Sequence, residues 1–176
     1  MQKVNSLKVI LLSIAVLTTG SCDRHGTAWN EMDKAENLMD AKPDSALVVL
    51  ENIPASSVKG KEAAARYALL KSMALDKNCI DTTTLDVLQP AIDYYVKHGS
   101  PDEQLRTYYY QGRIYQNQGN NDLAMQSFMW GKEFCQEASD TLTIANLMVA
   151  QATIQYRIYK IDDFIENNLE AANLYS

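Results

Sequence analysis

From Ala28 onward, apolar residues return every three or four positions, and only short turn signals interrupt them. This pattern restricts the chain to packed helices. Its 7 Gly and 4 Pro in 176 residues are also too few for an all-β chain rich in turns. With 47% hydrophobic residues, the material suffices for one continuous core.

The breakers divide this pattern into eight predicted helices in four consecutive hairpins. Trp29, Met32, Ala35, Leu38 and Met39 share one helical face, and Pro43 suits the first turn of the next helix. The segment 61–78 reads as a strong helix, whereas Pro90 requires its successor to start near Gln89 or to kink. Ser100-Pro101-Asp102-Glu103 combines a capping hydroxyl, a proline with no N–H to lose and a Glu at the third helical position. Gly119-Asn120-Asn121 then turns the chain into the sixth helix, and the segments 141–160 and 162–176 supply the last pair.

An apolar pair spaced by four recurs early in each second helix: Ala46 and Leu50, Ala91 and Tyr95, Ala124 and Phe128, Ile165 and Leu169. The copies are separated by 45, 33 and 41 residues, within the range of helical-hairpin arrays. In the stretch "GRIYQNQGNNDLAMQSF", the positions Gly112, Tyr115, Gly119, Ala124 and Phe128 resemble the tetratricopeptide repeat signature, with Tyr108 where Trp is usual. Tyr156, Leu169 and Ala172 repeat the pattern in the fourth hairpin, where Thr153 replaces the Gly; the first two hairpins carry looser copies. The resemblance covers about 150 residues and implies a right-handed superhelical solenoid of antiparallel hairpins. It also implies that Gly112 sits where Ala124 crosses it, and that Tyr115, Phe128, Tyr156 and Leu169 pack between helices.

Residues 1–21 form a separate unit. Lys3 and Lys8 precede the apolar run Val9–Leu17, which is short for a membrane span and ends in small residues, as in a secretory signal peptide; a short uncleaved anchor is the alternative. The exit "TTGSC" resembles the lipobox of bacterial lipoproteins, with Thr19 in place of the usual Leu. The resemblance implies that Cys22 is the lipidated first mature residue, that 22–27 are a tether and that 28–176 are the repeat domain. That domain is expected either to continue beyond residue 176 or to lack a capping helix. Loss of Lys3 and Lys8 takes the net charge from −6 to −8, so anchoring falls to the lipid rather than to attraction by anionic headgroups. Cys79 and Cys135 are left as free thiols or as a disulfide, and two cysteines alone do not decide between these.

No catalytic constellation stands out. The acidic balance gives no footprint for nucleic acid. Gly112 and Gly119 are seven apart with no Lys-Ser/Thr after them, unlike a phosphate loop. His25 and His98 have no Cys or carboxylate at metal-ligand spacing, so no metal or other cofactor is expected. Asp44 and Asp162-Asp163 sit at helix starts, where acids suit the dipole.

The repeat family holds peptides or partner helices in a concave groove lined by the first helix of each hairpin. Helical spacing places Arg106, Tyr109, Arg113 and Gln116 on one such stripe, with Arg157 matching in the next hairpin. Three Arg beside a Tyr would make a local basic groove suited to carboxylates; a solvated face with intrahelical pairs is the alternative. The expectation is a non-catalytic, lipid-anchored interaction scaffold of the bacterial cell envelope. The alternative is the N-terminal sensory or interaction part of a longer membrane regulatory protein.

Overall fold

A computed structural model describes residues 26–157 and 161–175 and the side chains within them except those of Arg157 and Ile161. The leader, Cys22 and most of the tether lie outside the described residues. All eight expected helices are present: α1 (Thr27–Leu38), α2 (Pro43–Glu51), α3 (Lys61–Lys77), α4 (Gln89–His98), α5 (Pro101–Asn117), α6 (Asn121–Lys132), α7 (Thr141–Arg157) and α8 (Ile161–Tyr175). Short 3-10 turns at Ala55–Ser57 and Leu85–Val87 are added, and no strand occurs among the described residues.

The helix starts follow local chemistry. Pro43 opens α2 and Pro90 lies in the first turn of α4, where a missing N–H costs nothing, so no kink is needed. At α5 the Ser100 hydroxyl accepts from the Glu103 N–H while the Glu103 carboxylate accepts from the Ser100 N–H, a complete capping box. Helices α3 and α5 end alike. The N–H of Ile80 bonds the Leu75 carbonyl and that of Cys79 the Asp76 carbonyl; Asn120 with Tyr115 and Gly119 with Gln116 repeat the pattern. The left-handed position is Gly119 (φ 77°) in one and Cys79 (φ 56°) in the other. Cys79 is exposed, Cys135 half-buried, and both are free thiols.

Packing is sequential. Each odd-numbered helix packs on the helix that follows it, each hairpin packs on the next, and the first helices also touch in the series α1–α3, α3–α5 and α5–α7. The core runs through this stack, with Met32, Leu50, Leu88, Leu105, Phe128 and Leu147 fully buried. The Phe128 ring seals α5 against α6: a Cβ on Gly112 would lie 2.3 Å from Phe128 Cε1. The nearest atoms to Gly112 are those of this ring, and Ala124 is itself fully buried. Tyr115 is half-buried against the core. Gly131 plays the matching part between hairpins, where a Cβ would meet Leu147 Cδ1 at 2.8 Å.

The fourth hairpin departs from the expected packing. Leu169 is 64% exposed and fills no interhelical space; Tyr156 is 59% exposed but rests its ring on that of Phe164 across α7 and α8, with 5.2 Å between centroids. Thr153 is exposed as well, whereas Ala152 beside it is buried. Along α8 the buried positions are Asn167 and Ala171. Helix α7 is apolar around most of its circumference, so its sequence pattern does not fix which stripe turns inward.

Candidate functional site

The stripe selected on α5 lies where first helices meet, and its side chains are occupied. Arg106 Nε donates to Asp140 at 2.5 Å and its NH1 to Glu36 at 3.3 Å. Arg113 Nε donates to Asp76 at 3.0 Å and its NH1 to Gln116 at 3.0 Å, while Gln116 reaches the Ala150 carbonyl. A third arginine, Arg66 on α3, pairs with Asp33 at 2.6 Å and Glu36 at 2.7 Å and lies over the Trp29 ring at 5.0 Å. These pairs tie α1 to α3, α3 to α5, and α5 to the start of α7. The side chain of Arg157 lies outside the described residues.

Tyr109 does not line a groove. It is only 7% exposed, edge-on to Tyr110, with its ring 6.1 Å from that of Phe128, and burial pushes its phenol pKa well up. A second joint lies beside the arginine ladder: Asp102 accepts from the Ser139 N–H, the Ser139 hydroxyl and the Asp140 N–H. Burial alone would raise the pKa values of Asp102 and Asp140. For Asp102 the bonds from Ser139 and Asp140 outweigh burial, and for Asp140 those from Thr143 and Arg106 do, so both carboxyls lie below their ordinary value. Burial likewise opposes the charge of Arg106, and the bond to Asp140 overcomes it and raises the guanidinium pKa.

The expected basic groove is thus corrected. Asp33, Glu36, Asp76 and Asp140 neutralise Arg66, Arg106 and Arg113, and Glu62 and Asp102 tip the face toward negative. Between the first helices lies a cleft of about 260 Å³ lined by Trp29, Glu36, Glu62, Arg66, Met73 and Arg106. A smaller space of about 120 Å³ adjoins it across Glu36, Met73 and Arg106 and extends to Asp140 and Leu142. Sequence reasoning missed Trp29, Glu36 and Arg66 as members of this face. A usable signal was present: opposite charges stand about one hairpin apart, 34 residues for Arg106 and Asp140 and 37 for Arg113 and Asp76.

The cleft presents paired charges and an aromatic wall, and Tyr95 and Glu103 line it as well, the phenol hydrogen-bonded to the carboxylate. Among the described residues no group of three or more His, Cys, Asp or Glu is placed to hold a metal, and no helix is long and apolar enough to cross a membrane. Compared with known proteins, the chain matches no family model, no curated protein and no solved structure.

Proposed function

We propose that the chain is a non-catalytic scaffold of tetratricopeptide type, exported and held at a bacterial envelope by lipid on Cys22, which grips another protein along its first helices. In this proposal the hairpins wind into a right-handed superhelix whose inner face is the ladder of first helices. The observation that carries it is the unbroken series of contacts α1–α3–α5–α7, with the charged cleft of Trp29, Glu36, Glu62 and Arg66 set where α1, α3 and α5 meet. Repeats stacked in this way present an extended surface without needing a catalytic pocket. Because the arginines are already paired, the partner is recognised by displacing or extending those ion pairs rather than by filling an empty basic groove.

A photo-crosslinking residue at Glu62, in the cleft, is expected to capture a partner in intact cells, and one at the exposed Val48 of α2 is not. No adduct at Glu62, or equal adducts at both positions, overturns the proposal. Anchoring is tested separately: Cys22→Ser should release the chain from the membrane fraction, and a variant that stays in the pellet points to an uncleaved anchor instead.

One observation favours the second proposal, a module within a longer regulatory protein. Tyr156, Ile165 and Leu169 leave an apolar face of α7 and α8 uncovered, a shape that suits another helical hairpin. Coding sequence downstream of Ser176 distinguishes the two.

A further inference from the structure

The first helices all begin on one edge of the stack. At the start of α1, Gly26 and Thr27 share an open hollow of about 1080 Å³ with Lys59 and Lys61 at the start of α3. Asp102, at the start of α5, bonds Ser139 and Asp140 just ahead of α7. The far ends meet on the opposite edge, where Lys77 pairs with Asp40 and Gln118 donates to the Thr83 carbonyl. Helix α3, with 17 residues, sets the two edges about 25 Å apart.

The edges differ in the charge left free to meet a partner. Among the described residues Lys34, Lys71 and Lys77 are ion-paired, whereas Lys42, Lys59, Lys61, Lys97 and Lys132 are in no ion pair. All of the unpaired lysines but Lys42 lie on the edge where the chain enters. Around the hollow Glu62 is the one carboxylate beside Lys59 and Lys61, and Lys97 follows at the end of α4. The exposed Glu133 and Glu137 lie a hairpin further on. The opposite edge instead exposes Asp44, Asp81, Asp86 and Asp122. Both α1 and α3 start after a glycine with no capping side chain, so first-turn N–H groups are also free for an anion on the entry edge.

The length of the tether says what this edge meets. Residues 23–25 alone stand between Gly26 and Cys22, and four residue steps span at most about 14 Å. With lipid on Cys22, the entry edge is held that close to the headgroups, and the opposite edge is not. We infer that the entry edge rests on the bilayer, with Lys59, Lys61 and Lys97 against the phosphates of anionic lipids. This inference rests on the lipid anchor proposed at Cys22. The chain as a whole is acidic, so the lipid holds the molecule and the lysines orient it. A lysine near an anionic surface is worth about fivefold in partition. Trp29 and Tyr94, which also line the hollow, are of the side-chain types that favour the membrane interface. With this edge down, the first-helix cleft opens sideways along the membrane surface.

The test uses the full chain, purified in detergent and reconstituted into vesicles of phosphatidylglycerol and phosphatidylcholine. One version carries a fluorophore on native Cys79, at the opposite edge, with Cys135→Ser. The other carries it at Ser56→Cys, in the loop before Lys59, with Cys79→Ser and Cys135→Ser. Lipids bearing a nitroxide on the headgroup should quench most of the emission at position 56 and leave that at Cys79 nearly unchanged. Lys59→Glu with Lys61→Glu, at exposed positions outside any ion pair, should restore much of the emission at position 56. High salt, or vesicles of phosphatidylcholine alone, should do the same to the wild-type surface. Equal quenching at the two positions, stronger quenching at Cys79, or quenching that charge reversal leaves untouched overturns the inference. Flotation separates this result from the anchor itself. A full chain that does not float with the vesicles refutes the anchor and the inference together, and one that floats with equal quenching refutes the orientation alone.

Discussion

In α5 and α6 the ring of Phe128 is fully covered, seated in the notch that Gly112 leaves open, whereas in α7 and α8 Tyr156, Ile165 and Leu169 are largely exposed. The two hairpins have first helices of equal length, 17 residues. They differ in their neighbours. Among the described residues, the third hairpin is packed on both sides by other helices and the fourth on one side only. Burial here is decided by what lies next along the stack as much as by the apolar residues a hairpin carries.

The largest expected effect tests that contrast directly. Phe128→Ala should destabilise the protein by about 3–5 kcal/mol, because it empties a closed space. Leu169→Ala, at an exposed position four residues after another apolar side chain, should change stability by less than about 0.5 kcal/mol. Chemical denaturation of both variants decides it; similar losses would mean that the fourth hairpin is covered in solution.

Next comes the joint between the two hairpins. Asp140→Asn removes the charge that Arg106 faces across a mostly buried contact and should cost about 1–3 kcal/mol. The pH dependence follows from the same contact. Asp102 and Asp140 have folded-state pKa values below the unfolded value, so their contribution is fully present above about pH 4 and is lost as pH falls through the folded values. Melting curves should therefore show wild type losing more stability than Asp140→Asn between pH 5 and pH 3, taken as rough limits of the carboxylate range. Parallel losses would break the account.

Gly112→Ala probes the notch alone. The added methyl gains about 0.8–1 kcal/mol in helix propensity but presses on a ring with nowhere to go, at an overpacking cost of about 1–3 kcal/mol. A net destabilisation of about 1 kcal/mol is expected. A more stable variant would show that Phe128 can slide.

The smallest effect concerns the ends of first helices. Cys79 occupies the left-handed position that Gly119 fills in the third hairpin. Cys79→Gly should raise stability by about 0.5–1 kcal/mol by removing the Cβ strain at that cap. No gain in thermal unfolding would mean that the Cys79 side chain makes a compensating contact.

Much of the fold is legible in the residues. Pro43, Pro90, the Ser100–Glu103 box and Gly119 each mark a boundary that the structure reproduces, because capping and turn chemistry act over three or four neighbours. The register of α7 is not legible. A helix apolar on most sides reads equally well one residue along, so its pattern does not predict that Ala152 is buried and Thr153 exposed. The face of Arg106 and Arg113 is half legible: helical spacing groups the side chains correctly, but their partners stand 34 to 70 residues away, beyond any local pattern. Tyr109 shares the spacing of Arg106 and Arg113, and spacing alone does not say that its ring turns into the core.

Arg106 has a consequence for how the molecule comes apart. In a linear array whose units feel only the adjacent unit, the ends fray and melting proceeds inward in steps. Here one guanidinium touches Glu36 in the first hairpin and Asp140 at the threshold of the fourth, skipping over the second. A coupling of that range penalises every partly melted state in which either end has let go. The eight helices should then unfold in a single sharp transition, with amide protons of α1 and α7 opening together rather than in sequence.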